Sequence, residues 1–186
     1  NAFAELFDQA SADGVRIDSV VLATGSGSTQ AGLLVGAKAL SPATRVIGVT
    51  VYSSKHKMSE YVRSISDAVI RQLDCPVEVG DEDIIVFEDY LREGYGVFDE
   101  EVAAALRWLA ESEGVLLDPV YTGKAMTGML DLMKRNYFED GENIVFLHSG
   151  GTPALFPYRS QISSEEHTSE LQSHSELRCR LLLAKH

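Results

Sequence analysis

The chain has 186 residues and 45 % hydrophobic content, enough for one domain that buries a full core without disulfides. Its formal charge of −12 argues against a nucleic-acid partner, because binding a phosphate backbone needs a clustered positive surface; the acidity reads as a solvated surface that aids solubility. Two cysteines, Cys75 and Cys179, argue against a secreted disulfide scaffold and against a cysteine metal cluster, and no apolar run approaches the roughly 20 residues of a membrane span.

The start, Asn-Ala-Phe-Ala, has neither a methionine, a cap nor a signal-peptide pattern, and reads as the middle of a helix that ends near residue 12 with Phe3, Leu6 and Phe7 on one face. Ile17 to Thr24 is β-rich and runs into Gly-Ser-Gly-Ser-Thr, so it predicts a buried strand feeding a loop. A helix follows over Thr29 to Leu40, with Ser28 or Thr29 as its cap. Arg45 to Tyr52 is a second, nearly continuous apolar strand, of the kind a parallel sheet covered on both faces requires. Met58 to Leu73 carries an apolar stripe of Val62, Ile65, Val69, Ile70 and Leu73 at helical spacing.

Beyond it, Ile84 to Tyr90 predicts a short edge strand, and Glu100 to Glu113 a helix closed by Gly114. Val115 to Leu117 is short and apolar before Asp118-Pro119 breaks the run. Thr122 to Tyr137 is helical, and Asn143 to His148 is a last buried strand ending in Ser-Gly-Gly-Thr-Pro. Strands alternating with helices imply an α/β fold, with an open, mostly parallel sheet and helices on both faces. Ligands in such sheets sit outside the carboxyl ends of the strands.

Residues from about Ser163 onward break this pattern. Ser164 to His174 is similar to a common sequencing-adapter DNA translated in one frame, and residues 175–186 look like its read-through. We therefore divide the chain into a domain over 1–161 and an aberrant tail over 162–186. The alternative for the tail is a genuine polar terminal helix. Its histidines and Cys179 are not recruited as ligands, and no metal is expected.

The most informative segment is Ala23-Thr24-Gly25-Ser26-Gly27-Ser28-Thr29-Gln30-Ala31-Gly32. A strand, a loop of small residues and a helix start gather free backbone N–H groups around one point, glycines allow close approach, and hydroxyls add donors. A plain tight turn is the alternative for this segment alone. A Walker A loop fails, since Gly27 and Gly32 have its spacing but Leu33 stands where lysine is needed. The dinucleotide fingerprint fails too, because Gln30 takes the third glycine's place and Ser53-Ser54, not an acid, follows the next strand. What remains is a monophosphate held without lysine or metal, which pyridoxal phosphate suits.

Three segments then carry a resemblance. Thr24 to Leu33 is similar to the phosphate loop of the D-cysteine desulfhydrase and 1-aminocyclopropane-1-carboxylate (ACC) deaminase family. Leu117-Asp118-Pro119-Val120-Tyr121-Thr122-Gly123-Lys124-Ala125-Met126 resembles its second signature, and His148 to Phe156 its carboxy-terminal motif. They stand in the family's order and cover about residues 1–160. The resemblance implies a fold-type II pyridoxal-phosphate enzyme, related to the tryptophan synthase β chain, with this chain forming part of the large domain.

By the same resemblance, amides of Gly25, Ser26, Gly27, Ser28 and Thr29, with the Thr29 hydroxyl, hold the cofactor phosphate. Ser149 faces the pyridine nitrogen with Thr122 nearby, and Tyr95 and Tyr121 match the family's two active-site tyrosines. Taken on their own, Ser149 also suits strand-end capping and Tyr95 also suits surface packing. Lys124 lies where the family's cofactor-bearing lysine is not found; that lysine belongs to a segment upstream, absent here with the smaller domain, so the chain alone is expected to be inert. The implied whole is a cytoplasmic homodimer acting on a small amino acid, with no nucleic acid and no membrane. ACC deaminases carry a glutamate where Thr122 stands, which turns the expectation toward release of pyruvate, sulfide and ammonia from D-cysteine. ACC deamination is the alternative within the family, and a non-catalytic nucleotide- or phosphate-binding module is the alternative outside it.

Overall fold

The computed structural model describes residues 2–91, 94, 96, 99–162 and 180–185. In chain order these form α1 (Ala2–Ala12), β1 (Ser19–Thr24), α2 (Ser28–Leu40), β2 (Arg45–Thr50), α3 (Lys55–Leu73), β3 (Ile85–Phe87), α4 (Glu100–Glu113), α5 (Thr122–Lys134), β4 (Asn143–His148), α6 (Arg159–Ile162) and β5 (Arg180–Lys185), with 3-10 turns at Asp81–Asp83 and Thr152–Tyr158. The strands pair in parallel in the order β3-β2-β1-β4-β5.

Side chains alternate across the strands, and each set meets its own helices. Val21, Ile47, Val49, Ile144 and Phe146 pack with Leu106 and Leu109 of α4 and Met126 and Met129 of α5. Val20, Leu22, Val46, Val86, Val145 and Leu147 pack on the opposite side with Phe3 of α1, Leu33 and Leu34 of α2, and Met58 and Val62 of α3. The sheet is thus the shared wall of two cores, which is why β1, β2 and β4 read as nearly unbroken apolar runs.

Several boundaries move from their expected places, each for a local reason. The third helix begins at Lys55, a turn before Met58, because Ser54 caps it, its side chain accepting from the Lys57 amide at 3.4 Å. Helix α5 ends at Lys134, and Asn136 follows with φ of 54°, a left-handed conformation that stops the helix before Tyr137. Helix α4 matches its expected span; Gly114, at φ 65°, closes it through a bond to the Ala110 carbonyl. The expected cap of the second helix differs most: Gly27 occupies the cap at φ 81° with no side-chain hydrogen bond, and Ser28 is the first helical residue.

Gln30 is fully buried, donating from Nε2 to the Ile85 carbonyl at 2.8 Å and so tying α2 to the edge of the sheet. Gly48 makes room for it, since a Cβ there would lie 2.1 Å from Gln30 Oε1. Among the described residues after 162, β5 is an edge strand beside β4, in register from Asn143↔Arg180 to His148↔Lys185. The backbone of β5 pairs with the amides and carbonyls that β4 would otherwise leave at the sheet edge.

Candidate active site

The strand order fixes where a ligand can sit. From β1 the chain steps outward to β2 and β3, then returns to place β4 on the other side of β1. That reversal opens a crevice beyond the carboxyl ends of β1 and β4, the usual ligand position in open α/β sheets. The pairing Ser19↔Ile144 to Val21↔Phe146 carries the two strands forward together, so the loops after Thr24 and His148 emerge side by side.

A cavity of about 800 Å³ lies there, within the size range of small-molecule sites. One wall is Ala23, Gly25, Ser26 and Thr29; Tyr121 and Ser149 close a second side, and Tyr52, Tyr61, Ser64 and Ile65 form the rest. Of the residues selected from the sequence, Gly25, Ser26, Thr29, Tyr121 and Ser149 therefore share one space. The Tyr121 ring lies against Gly25, where a Cβ would be 3.6 Å from Tyr121 Cε1.

The start of α2 is unusual for what it lacks. The first amides of a helix have no carbonyl four residues back to bond, and here no side chain caps them. The Ser28 amide has only a long 3.5 Å contact to Ser26 Oγ, and the first amide to reach a helical carbonyl is Ala31, bonded to Gly27 at 2.9 Å. The positive end of the helix adds about 0.3–1 kcal/mol for an anion. Small residues, uncapped amides and the Ser26 and Thr29 hydroxyls, opening on a cavity of this size, fit a phosphate ester on a small ring.

Other selected residues stand elsewhere. Gly27 is buried behind the loop, and a Cβ on it would lie 3.4 Å from Tyr61 Cβ and from Val62 Cγ2, so its bareness serves the close approach of α3. The Ser28 side chain is exposed and accepts from Ser26 Oγ at 3.2 Å. Thr122 is fully buried and does not line the cavity; its hydroxyl donates to Asp118 Oδ1 at 2.7 Å and accepts from the Asp118 amide at 2.9 Å. Tyr95 lies outside the described residues. Lys124 is fully buried, its ammonium donating to the carbonyls of Leu91 at 3.2 Å and Gly94 at 2.9 Å. Carbonyl partners are what make a buried ammonium tolerable, and they hold the loop before Tyr95 against α5.

Two features escaped the sequence reading. Tyr52 and Tyr61, 60 % and 37 % exposed, bring aromatic surface to the cavity; a tyrosine just past the carboxyl end of β2 was the available signal. Asp118 was read as ending an apolar run and as part of the second signature, with no role of its own, yet its carboxylate accepts from the amides of Val120 and Tyr121, both at 2.8 Å, and of Thr122 at 2.9 Å. His148 completes the far loop: Nδ1 accepts from the Gly150 amide at 3.2 Å and Nε2 sits 3.0 Å from the Leu116 carbonyl, a pairing the Nε2–H tautomer satisfies.

A glycine loop and uncapped helix start at the switch point of a parallel sheet place the chain among α/β proteins that hold a phosphorylated ligand. It belongs to the family of pyridoxal-phosphate dependent enzymes, whose family model matches residues 1–150. It is similar to a D-cysteine desulfhydrase of Klebsiella pneumoniae subsp. pneumoniae, 44 % identical over 150 residues, 81 % of this chain and 45 % of the relative. A D-cysteine desulfhydrase from a second Klebsiella pneumoniae strain is 45 % identical over 148 residues, 80 % of this chain and 44 % of its own length. The crystal structure of an ACC deaminase homologue superposes with a TM-score of 0.76 at 33 % identity, covering 86 % of this chain and 48 % of that one. The chain thus spans a little under half the length of the curated relatives it matches. Among the described residues, no helix is long and apolar enough to cross a membrane.

Proposed function

We propose that the protein containing this chain is a pyridoxal-phosphate-dependent D-cysteine desulfhydrase, converting D-cysteine to pyruvate, sulfide and ammonia. The observation that carries the reading is the uncapped start of α2 on a cavity shared with Tyr121 and Ser149, joined to 44 % identity with a D-cysteine desulfhydrase. Amides of Gly25 to Thr29, with the Thr29 hydroxyl, hold the phosphate, and Ser149 offers a neutral hydrogen bond to the ring nitrogen. Bound there, pyridoxal phosphate supplies the electron sink that makes an amino acid's α-carbon acidic.

The chain's own residues then bind and orient. Tyr121 contributes a phenol, 38 % exposed, to the cavity, where it orients the substrate carboxylate or moves a proton at its Oη. Tyr95 is proposed as its partner. The lysine that carries the cofactor is proposed to come from outside this chain, since Lys124 is held on two carbonyls. A cytoplasmic homodimer is the proposed assembly, by family analogy.

ACC deaminase is the second reading, favoured by the 33 % identity to an ACC deaminase homologue. Thr122 weighs against it, because a buried hydroxyl bonded to Asp118 gives no charged contact to a pyridinium. The test is a paired assay on the full-length enzyme. Sulfide release from D-cysteine with at least tenfold poorer ACC turnover is expected; efficient ACC turnover without sulfide release would overturn the assignment.

A further inference from the structure

The two walls of the cavity opposite α2 come from segments far apart in the chain, yet both rest on one buried carboxylate. Asp118 is fully buried. Its Oδ2 accepts from the Val120 and Tyr121 amides, each at 2.8 Å, and its Oδ1 from the Thr122 amide at 2.9 Å and the Thr122 hydroxyl at 2.7 Å. Four donors therefore converge on one side chain, and the Tyr121 amide is among them. On its other side, Asp118 carries the loop after β4: a Cβ at Gly151 would sit 2.7 Å from both Asp118 Cγ and Oδ1, and Gly151 itself has φ of 91°. Only a bare backbone can lie that close.

We propose that Asp118 is a positioning residue, fixing the Tyr121 phenol and the Ser149 loop relative to each other across the cavity; this rests on the cofactor reading given above. The carboxylate is needed as a carboxylate. An asparagine has the same shape but replaces one oxygen with an NH2 group, and each oxygen here accepts from at least one backbone amide, which can only donate. With the NH2 on the Oδ2 side it meets two backbone amides, and with the NH2 on the Oδ1 side it meets the Thr122 amide while the Thr122 hydroxyl must turn from donor to acceptor, so at least one N–H is set against another in either flip. The start of α5 must then rotate or shift, and Tyr121, three residues from Asp118, moves with it.

The test uses the full-length holoenzyme with 3-fluorotyrosine incorporated at Tyr121, and separately at Tyr137 as a remote control. In Asp118→Asn the fluorine resonance at 121 is expected to shift or broaden while that at 137 stays in place. Turnover number should fall at least tenfold with KM changed less than threefold. In a Tyr121→Phe background, Asp118→Asn should then cost less than threefold more, because a residue that acts through Tyr121 has nothing left to position. An unmoved resonance at 121, or an undiminished loss in the Tyr121→Phe background, overturns the proposal. Full turnover by Tyr121→Phe would remove that phenol from the chemistry, and the 121 resonance would still decide for or against Asp118. If Asp118→Asn does not fold, Thr122→Val, which takes one donor from Oδ1, carries the same labels. Restoration of the 121 resonance by Thr122→Ser supports the proposal, and failure of that restoration counts against it.

Discussion

Two helix starts face the same cavity and solve the same problem in opposite ways. Both α2 and α5 begin with amides that have no carbonyl to bond. At α5 Asp118 fills that need from within the chain: its carboxylate takes the Thr122 amide and those of Val120 and Tyr121 just before the helix, and its carbonyl takes the Gly123 amide. At α2 the cap position is a glycine at φ 81°, and only a long 3.5 Å contact from the Ser28 amide to Ser26 Oγ reaches a side chain. The remaining long helices of the second half and the middle follow α5: Ser54 caps α3 and Asp99 caps α4. A helix start without such a cap beside a cavity, where α3 and α4 have theirs, is what the proposed phosphate site requires. On the proposed reading, the satisfied start fixes a side chain and the open start holds the phosphate.

The largest break of this contrast is at Gly27. A valine there must adopt a left-handed backbone conformation that β-branched residues avoid, at a cost of about 1–3 kcal/mol, and its Cβ would meet α3 at 3.4 Å. The loop gives way instead, and the amides of Ser28 and Thr29 lose their common aim. Titration of pyridoxal phosphate into full-length apoenzyme, followed by absorbance, should show affinity at least tenfold weaker in Gly27→Val with the far-ultraviolet circular dichroism unchanged. Wild-type affinity in that variant would mean the phosphate lies elsewhere.

A smaller effect comes from treating a capped start as though it were open. Asp99 accepts from the Val102 amide at 2.9 Å, and Asp99→Ala leaves that amide to water. A loss of about 1 kcal/mol is expected, read as a lower urea midpoint at unchanged slope, with cofactor affinity untouched. If Asp99→Ala weakened the cofactor as much as Gly27→Val, the distinction between structural and ligand-holding starts would fail.

The open start was legible because its signal is local. Small residues between an apolar run and a helix announce both the loop and the want of a lysine, and Gly25, Ser26, Thr29, Tyr121 and Ser149 were all selected before being found in one cavity. The filled start was illegible for the converse reason. Asp118 precedes a proline, and Asp-Pro is read as a break; that the carboxylate turns back onto amides at 120–122 depends on its burial under Gly151, a contact 33 positions away in the sequence. The surroundings of Thr122 were hidden for the same reason: its neighbour Tyr121 lines the cavity while its own hydroxyl, buried, turns inward to Asp118. The cap of α2 was expected at Ser28 or Thr29 because hydroxyls usually cap, whereas Gly27 holds that position, a departure of the kind functional sites produce.

The carboxyl end of α2 provides the smallest and most delicate measurement. Lys38, in its last turn, complements the negative end of the helix and bonds Asp83 at 3.0 Å, with the two side chains 25 % and 20 % exposed. Burial alone would raise the Asp83 carboxyl, but the Gly80 amide at 2.7 Å and the Lys38 ammonium outweigh it and hold the group below its usual 3.8. A carboxyl depressed in the folded state binds its proton more readily when unfolded. Its contribution is therefore fully present above pH 3.8 and is lost as pH falls through the lower folded value. Solvent screening limits the pair to at most about 1 kcal/mol. Urea midpoints of wild type and Lys38→Met, followed from pH 6 downward, should differ by a constant amount until about pH 4 and then converge. Parallel curves down to the acid limit would show that the Lys38 bond is not what holds Asp83 low, leaving the Gly80 amide and Arg63 as the sources; convergence would show that α2 is held electrostatically at its far end.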